Sequence, residues 1–153
     1  MSGLGNVHNQ EDPFHLARFV SAQEGVYATA LSELRSGRKR THWMWFVFPQ
    51  VSGLGYSATS QRYAIHGLDE ARAYLNHPVL GARLRECAEA VLAMEGRSAS
   101  EIFGPPDDVK LRSSMTLFAQ ADGPDSVFAQ VLVRYFGGEQ DAETLRRLGQ
   151  PTE

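Results

Sequence analysis

The stretch KRTHWMWFVFPQ, residues 39–50, joins a cluster of cations to the only two tryptophans of the chain. A large aromatic side chain removes on the order of 150–250 Å² from water when it is buried, so most of this stretch is expected to lie in the core. The cations before it require water or an anion. The junction between the two parts, at His42, is therefore where we expect a pocket with a polar rim.

The secondary structure of this stretch is ambiguous from its periodicity. Trp43, Trp45 and Val47 alternate as in a β-strand, but the same run also suits a buried helical turn. Because no partner strand is evident elsewhere in the sequence, we favour a short helix that ends at Pro49.

Glycine, proline and capping residues divide the rest of the chain into further helical segments. One helix is predicted from Asp12 to Gly37, and another from Pro78 to about Met94. A third begins at Ser98, which is followed by glutamate at the spacing of a capping box.

These segments together predict a mainly α-helical fold, a compact single domain of about seven or eight short helices. The domain is predicted over residues 12–149, between a flexible lead at 1–11 and a tail at 150–153.

Composition limits the classes of function. The 153 residues carry a net charge of −3, whereas a general nucleic-acid coat needs a strong basic excess, so nucleic acid is not expected as a partner. No apolar run reaches the roughly 18 residues of a membrane span, and no signal core is evident, which favours a cytoplasmic protein without membrane contact. The oligomeric state is not indicated.

No metal site and no cofactor are predicted. The phosphate-loop, HExxH and CxxC motifs are absent, and the five histidines are scattered along the chain. The single cysteine, Cys87, falls on the apolar face of its helix and is expected in the core.

The first candidate site is the junction itself, with Lys39, Arg40, His42, Trp43 and Trp45. Arginine pairs with phosphate through two hydrogen bonds, and a base stacked on tryptophan gains about 1–3 kcal/mol. This pattern indicates a phosphate clamp beside a stacking platform. A solvated loop before an aromatic core would give the same pattern, and the sequence leaves both interpretations open.

The second candidate is DDVKLRSS, residues 107–114. If a helix opens at its start, Asp107, Lys110 and Ser114 share one face, where a carboxylate beside an ammonium group could act as a general base or bind a ribose hydroxyl. An acidic first turn with a surface ion pair would look the same. The other polar residues of the segment are also candidates: Asp108, Arg112 and Ser113.

The third candidate is Arg62 with Tyr63 and His66. Arg62 and His66 are four residues apart, so on a helix they would face the same way and could line a cleft beside the aromatic run. Surface packing explains the pattern equally well.

Three long runs carry a resemblance to a known family: residues 35–55, 68–87 and 103–118. On these runs the chain resembles the bacterial domain-of-unknown-function family 1810, whose members often bear the label "calpastatin" in genome annotation. The resemblance extends over about residues 12–148 and implies a mainly helical domain without an established activity.

A weaker resemblance concerns the helix HPVLGARLREC followed by the acidic turn FGPPDD. This order is similar to the NADAR superfamily of YbiA-like N-glycosidases, α-helical proteins linked to ADP-ribose and riboflavin-intermediate chemistry. That superfamily typically carries a D-x-x-W-G context near the acidic turn, whereas this chain has Phe103 and Gly104 before Asp107.

Two classes of function remain. The first is an enzyme, or a degenerate enzyme, on a nucleotide-like small molecule, for example an N-glycosidase in which Asp107 or Asp108 stabilises an oxocarbenium-like charge. It predicts that Asp107, Arg112 and His42 converge on one cleft. The alternative is a non-catalytic protein-interaction or ligand-binding module.

Overall fold

Ten α-helices account for most of the residues that the computed structural model describes, 12–149. In chain order they are α1 (Ala17–Gln23), α2 (Tyr27–Ser36), α3 (Met44–Val47), α4 (Ala58–Arg62), α5 (Leu68–Asn76), α6 (Leu80–Ala93), α7 (Ala99–Phe103), α8 (Asp107–Asp122), α9 (Val127–Phe136) and α10 (Ala142–Arg147). Within this range there is no named strand, only an isolated parallel bridge between Val51 and Ile65. The mainly helical class is confirmed, while the predicted lead and tail lie outside the described residues.

The count of seven or eight helices was wrong, and the first predicted helix shows why. Asp12 does accept hydrogen bonds at a helical entry, from the amides of Leu16 (2.7 Å) and Ala17 (3.0 Å). The chain then leaves the helical conformation at Glu24, which is extended, and Gly25 follows with a φ of +78° that favours glycine, so that two helices replace one.

Several helix ends follow the local chemistry of the sequence. Ser98 and Glu101 form the predicted capping box at the start of α7. Asp141 accepts the amide of Thr144 at the start of α10, and α9 ends at Gly137 in the left-handed conformation. The aromatic run does contain a short helix, α3, as favoured from the sequence.

The two longest helices, α6 and α8, lie at the centre of the domain. Helix α6 packs against α2, α3, α5 and α9, and α8 packs against α5, α7, α9 and α10. Cys87 is fully buried on α6, as predicted, and this burial raises the pKa of its thiol to about 12. Helix α8 contacts α7, and α7 is hydrogen-bonded to the chain that links α2 to α3. The N-terminus of α8 therefore lies next to that link.

None of the helices in the described range combines the length and the apolar character that a membrane crossing requires.

Candidate functional site

Two lysines meet one carboxylate where the link before α3 reaches the first turn of α8. The ammonium group of Lys39 lies 2.9 Å from Oδ2 of Asp107, and that of Lys110 lies 3.3 Å from Oδ1 of the same carboxylate. The Lys110 pair is the i,i+3 pair expected on a helix. The Lys39 pair joins two distant parts of the chain, so it depends on the packing of α7 and α8.

Each of these lysines also covers a tryptophan. Nζ of Lys39 lies 5.0 Å from the centroid of the Trp43 ring, and Nζ of Lys110 lies 4.2 Å from that of Trp45. The chain contains no other lysine and no other tryptophan, although it is rich in arginine. Both lysines, both tryptophans and Asp107 therefore form a single group, which we call the lysine–tryptophan cluster.

The link that carries Lys39 is held in place by Glu33 on α2. One oxygen of this carboxylate accepts hydrogen bonds from the amide of Arg40 (2.8 Å), the amide of Thr41 (3.1 Å) and the indole N–H of Trp43 (2.8 Å). The other oxygen accepts the hydroxyl of Thr41 at 2.7 Å. Burial alone would raise the pKa of Glu33, but these hydrogen bonds outweigh it and lower the pKa to about 2.

A second anchor fixes the start of the same link. The amide of Lys39 donates to the carbonyl of Ile102 in α7 at 2.7 Å, and its ammonium group donates to the carbonyl of Thr41 at 2.6 Å. The Lys39 side chain is only 7% exposed. Lys39 is therefore a fixed part of the cluster, and its charge is not free to follow a ligand.

The two tryptophans differ in their access to solvent. Trp43 is 1% exposed and packs its ring against Phe48 and Phe103, so we assign it to the core. Trp45 is half-buried, and the Lys110 side chain above it is 24% exposed. The part of the cluster that a small molecule can reach is therefore Trp45 with Lys110.

The other candidates at the junction, Arg40 and His42, make no side-chain contact with this cluster. Arg40 and His42 are exposed, and neither side chain forms a hydrogen bond or an ion pair with a described residue. Of these two residues, only Arg40 forms a hydrogen bond of the link, from its backbone amide to the carboxylate of Glu33.

The remaining candidates on α8 have separate environments. Arg112 pairs with Glu139 at 3.2 Å, and Asp108 accepts the amide of Val109. The hydroxyl of Ser113 donates to a helix carbonyl, and that of Ser114, fully buried, has no partner among the described atoms. Within residues 12–149, no hydrogen bond or ion pair joins Asp107 to Arg112 or His42.

Arg62 and Tyr63 lie away from the lysine–tryptophan cluster, with Tyr63 partly buried against the core and Arg62 exposed. The ring of Tyr63 packs edge-on against Phe46 at 4.9 Å and against Phe19 at 5.8 Å. The guanidinium of Arg62 lies 5.7 Å from the Tyr63 ring. These contacts are those of side-chain packing. His66 does not join Arg62 in a cleft but lies beside Glu70, with which it pairs.

Sequence reasoning missed Glu33 and the buried ion pair between Arg18 and Glu70. Both glutamates occupy positions that the helical period assigns to the core: Glu33 is buried with Ala30 on α2, and Glu70 with Tyr74 on α5. A carboxylate on an apolar stripe was the available signal, because a buried charge must be matched by hydrogen bonds or a cation.

No three histidine, cysteine, aspartate or glutamate side chains within residues 12–149 are arranged to hold a metal ion together.

Comparisons with known proteins place the chain in a family without assigning an activity. The crystal structure of the conserved hypothetical protein Rv1873 from Mycobacterium tuberculosis superimposes with a TM-score of 0.89 at 55% sequence identity, covering 92% of this chain and 100% of that one. No functionally curated protein matches significantly, and no comparison supports the resemblance to the NADAR superfamily. The family described as "Protein of unknown function (DUF1810)" matches residues 13–148, and the chain belongs to this family.

Proposed function

We propose that the chain binds a nucleotide-like small molecule, an aromatic ring that carries an anionic group, at Trp45 and Lys110. The observation that carries the proposal is the lysine–tryptophan cluster, in which two ammonium groups share the single carboxylate of Asp107. One positive charge is left over beside a partly accessible indole. Tryptophan stacks well on bases, and lysine binds phosphate as a point charge.

The two ion pairs differ in a way that suits ligand exchange. Lys39 is the closer partner of Asp107, at 2.9 Å, and is almost fully buried. Lys110 is more distant, at 3.3 Å, and more exposed. An incoming phosphate can therefore take over Lys110 while Lys39 keeps Asp107 neutralised, and the ring of the ligand then replaces the ammonium group on Trp45.

Binding has more support than hydrolysis. Both oxygens of Asp107 are already paired with lysines, and His42 and Arg112 have other surroundings. Cleavage of an N-glycosidic bond would need one carboxylate to face that bond. Base release is therefore the second measurement to make on any ligand that binds.

Lys110→Gln is expected to raise the dissociation constant of such a ligand at least ten-fold, because a hydrogen bond to a charged group contributes about 1.5–3 kcal/mol. The ligands to test are AMP, ADP-ribose, NAD and FMN, and binding of each is measured by thermal shift and then by titration calorimetry. A ligand at one hundred times its dissociation constant adds about 2.7 kcal/mol to the wild-type stability. Arg72→Gln is the matched control, since it removes one positive charge from an exposed site on α5.

The proposal fails if none of the four ligands stabilises the wild-type protein, or if Arg72→Gln weakens binding as much as Lys110→Gln does. Such a result would favour the protein-interaction alternative. Release of base that Asp107→Asn abolishes, with binding retained, would instead establish the enzymatic version.

A further inference from the structure

A recess lies between the end of α2 and α7. It has a volume of about 320 Å³, and its polar lining comes from Arg38, Arg97, Ser100 and Glu101. Lys39 also lines it, but the ammonium group of Lys39 is engaged with Asp107 and Thr41, as described above. The recess is therefore a separate feature that adjoins the lysine–tryptophan cluster.

The charges in this recess are unbalanced. Neither Arg38 nor Arg97 forms an ion pair with any acidic residue in the described range. The only carboxylate in the lining, Glu101, is occupied by the capping box, where it accepts the amide of Ser98 at 2.8 Å. Glu101 keeps its negative charge while it accepts this amide, so the two guanidinium groups outnumber the single carboxylate and leave the lining with a net positive charge.

The Arg97 side chain passes close to Gly37. Its Nε lies 3.0 Å from the place where a Cβ on Gly37 would stand, and the sulfur of Met94 lies at the same distance. Gly37 has a φ of +83° at the end of α2, so both its conformation and this close approach favour glycine. Arg97 therefore lies beside the end of α2 and lines the same recess as Arg38.

We propose that this recess binds a phosphate group, held between Arg38 and Arg97 with the Ser100 hydroxyl as a further donor. Guanidinium groups present paired N–H donors that match phosphate oxygens, and Ser100 forms no other recorded hydrogen bond through its side chain. The proposal uses none of the side chains proposed above for nucleotide binding, so each can fail without the other.

Titration calorimetry with inorganic phosphate and with pyrophosphate, at low ionic strength, tests the recess directly. Wild-type protein is expected to bind at least one of them, and Arg38→Gln and Arg97→Gln are each expected to raise the dissociation constant at least five-fold. Arg97→Lys keeps the charge but loses the paired donors, so an intermediate loss is expected. Arg72→Gln and Lys110→Gln are expected to leave phosphate binding unchanged.

Thermal melting of each variant shows whether it is folded, since both arginines are exposed and their substitution is expected to be tolerated. The proposal is overturned if wild-type protein binds neither probe, or if Arg72→Gln weakens binding as much as Arg97→Gln. Loss in Lys110→Gln alone would also overturn it, because the phosphate would then belong to the lysine–tryptophan cluster.

Discussion

Replacing Glu70 by alanine is expected to lower the free energy of unfolding by about 4 kcal/mol, because it leaves the buried guanidinium of Arg18 without its counter-charge. The two side chains are 2% and 8% exposed and lie 2.9 Å apart. Glu70 also accepts the amide of His66 at 2.9 Å, so the substitution removes two buried contacts. Urea denaturation of wild type and variant measures the difference.

The arginine in this pair is fully engaged. Its remaining N–H groups donate to four carbonyl oxygens, those of Phe14, His15, Arg62 and Ala64, at 2.7–2.9 Å. Arg18 therefore ties the entry to α1 to the segment between α4 and α5. We expect Arg18→Met together with Glu70→Leu to recover only part of the lost stability, because an apolar pair needs no counter-charge but leaves these carbonyls and the His66 amide without a partner.

The same helix provides the control. Arg72 pairs with Asp69 at 3.6 Å with both side chains largely exposed, so Arg72→Ala is expected to change stability by no more than about 0.5 kcal/mol. If Glu70→Ala cost as little as Arg72→Ala, the buried pair would not be formed in solution.

Glu33→Ala is the second large effect, with an expected loss of about 3 kcal/mol, because several buried donors lose their acceptor. The indole N–H of Trp43 and the amides of Arg40 and Thr41 all depend on this carboxylate. The link that positions Lys39 should loosen as well. Thermal melting gives the stability, and Glu89→Ala, at an exposed position on α6, is the matched control.

The pH dependence of stability tests the same carboxylate without relying on a substitution alone. The pKa of Glu33 falls from 4.5 to about 2 on folding, so its contribution is complete above pH 4.5 and is lost as the pH falls through 2. A shift of this size corresponds to about 3 kcal/mol. Wild type should lose this stability between pH 4.5 and 2, whereas Glu33→Ala should not; parallel curves for the two proteins would contradict the assignment.

The sequence was most informative where a structure is decided locally. The capping box at Ser98 and Glu101 and the glycine end of α9 involve neighbouring residues, so they could be recognised without knowing the fold. Gly25 was harder to interpret, because a glycine inside an apolar period can be either tolerated or used to end a helix.

The candidate site was predictable in its parts and not in its assembly. The segments with Lys39 and Asp107 were both singled out, but their contact depends on how α7 packs on α8, which no local pattern encodes. The same limit explains why the sequence could not distinguish Trp43 from Trp45. The indole of Trp43 donates to the buried carboxylate of Glu33, whereas the indole of Trp45 contacts Lys110.

The confinement of both lysines to one cluster has a consequence for the chemistry of the protein surface. Among residues 12–149 no ammonium group stands freely in solvent, and the remaining cationic side chains apart from histidine are guanidinium groups. Guanidinium keeps its proton in proteins and is a poor target for acyl transfer. Within this range, amine-directed acylation must therefore first separate Lys110 from Asp107 and Trp45.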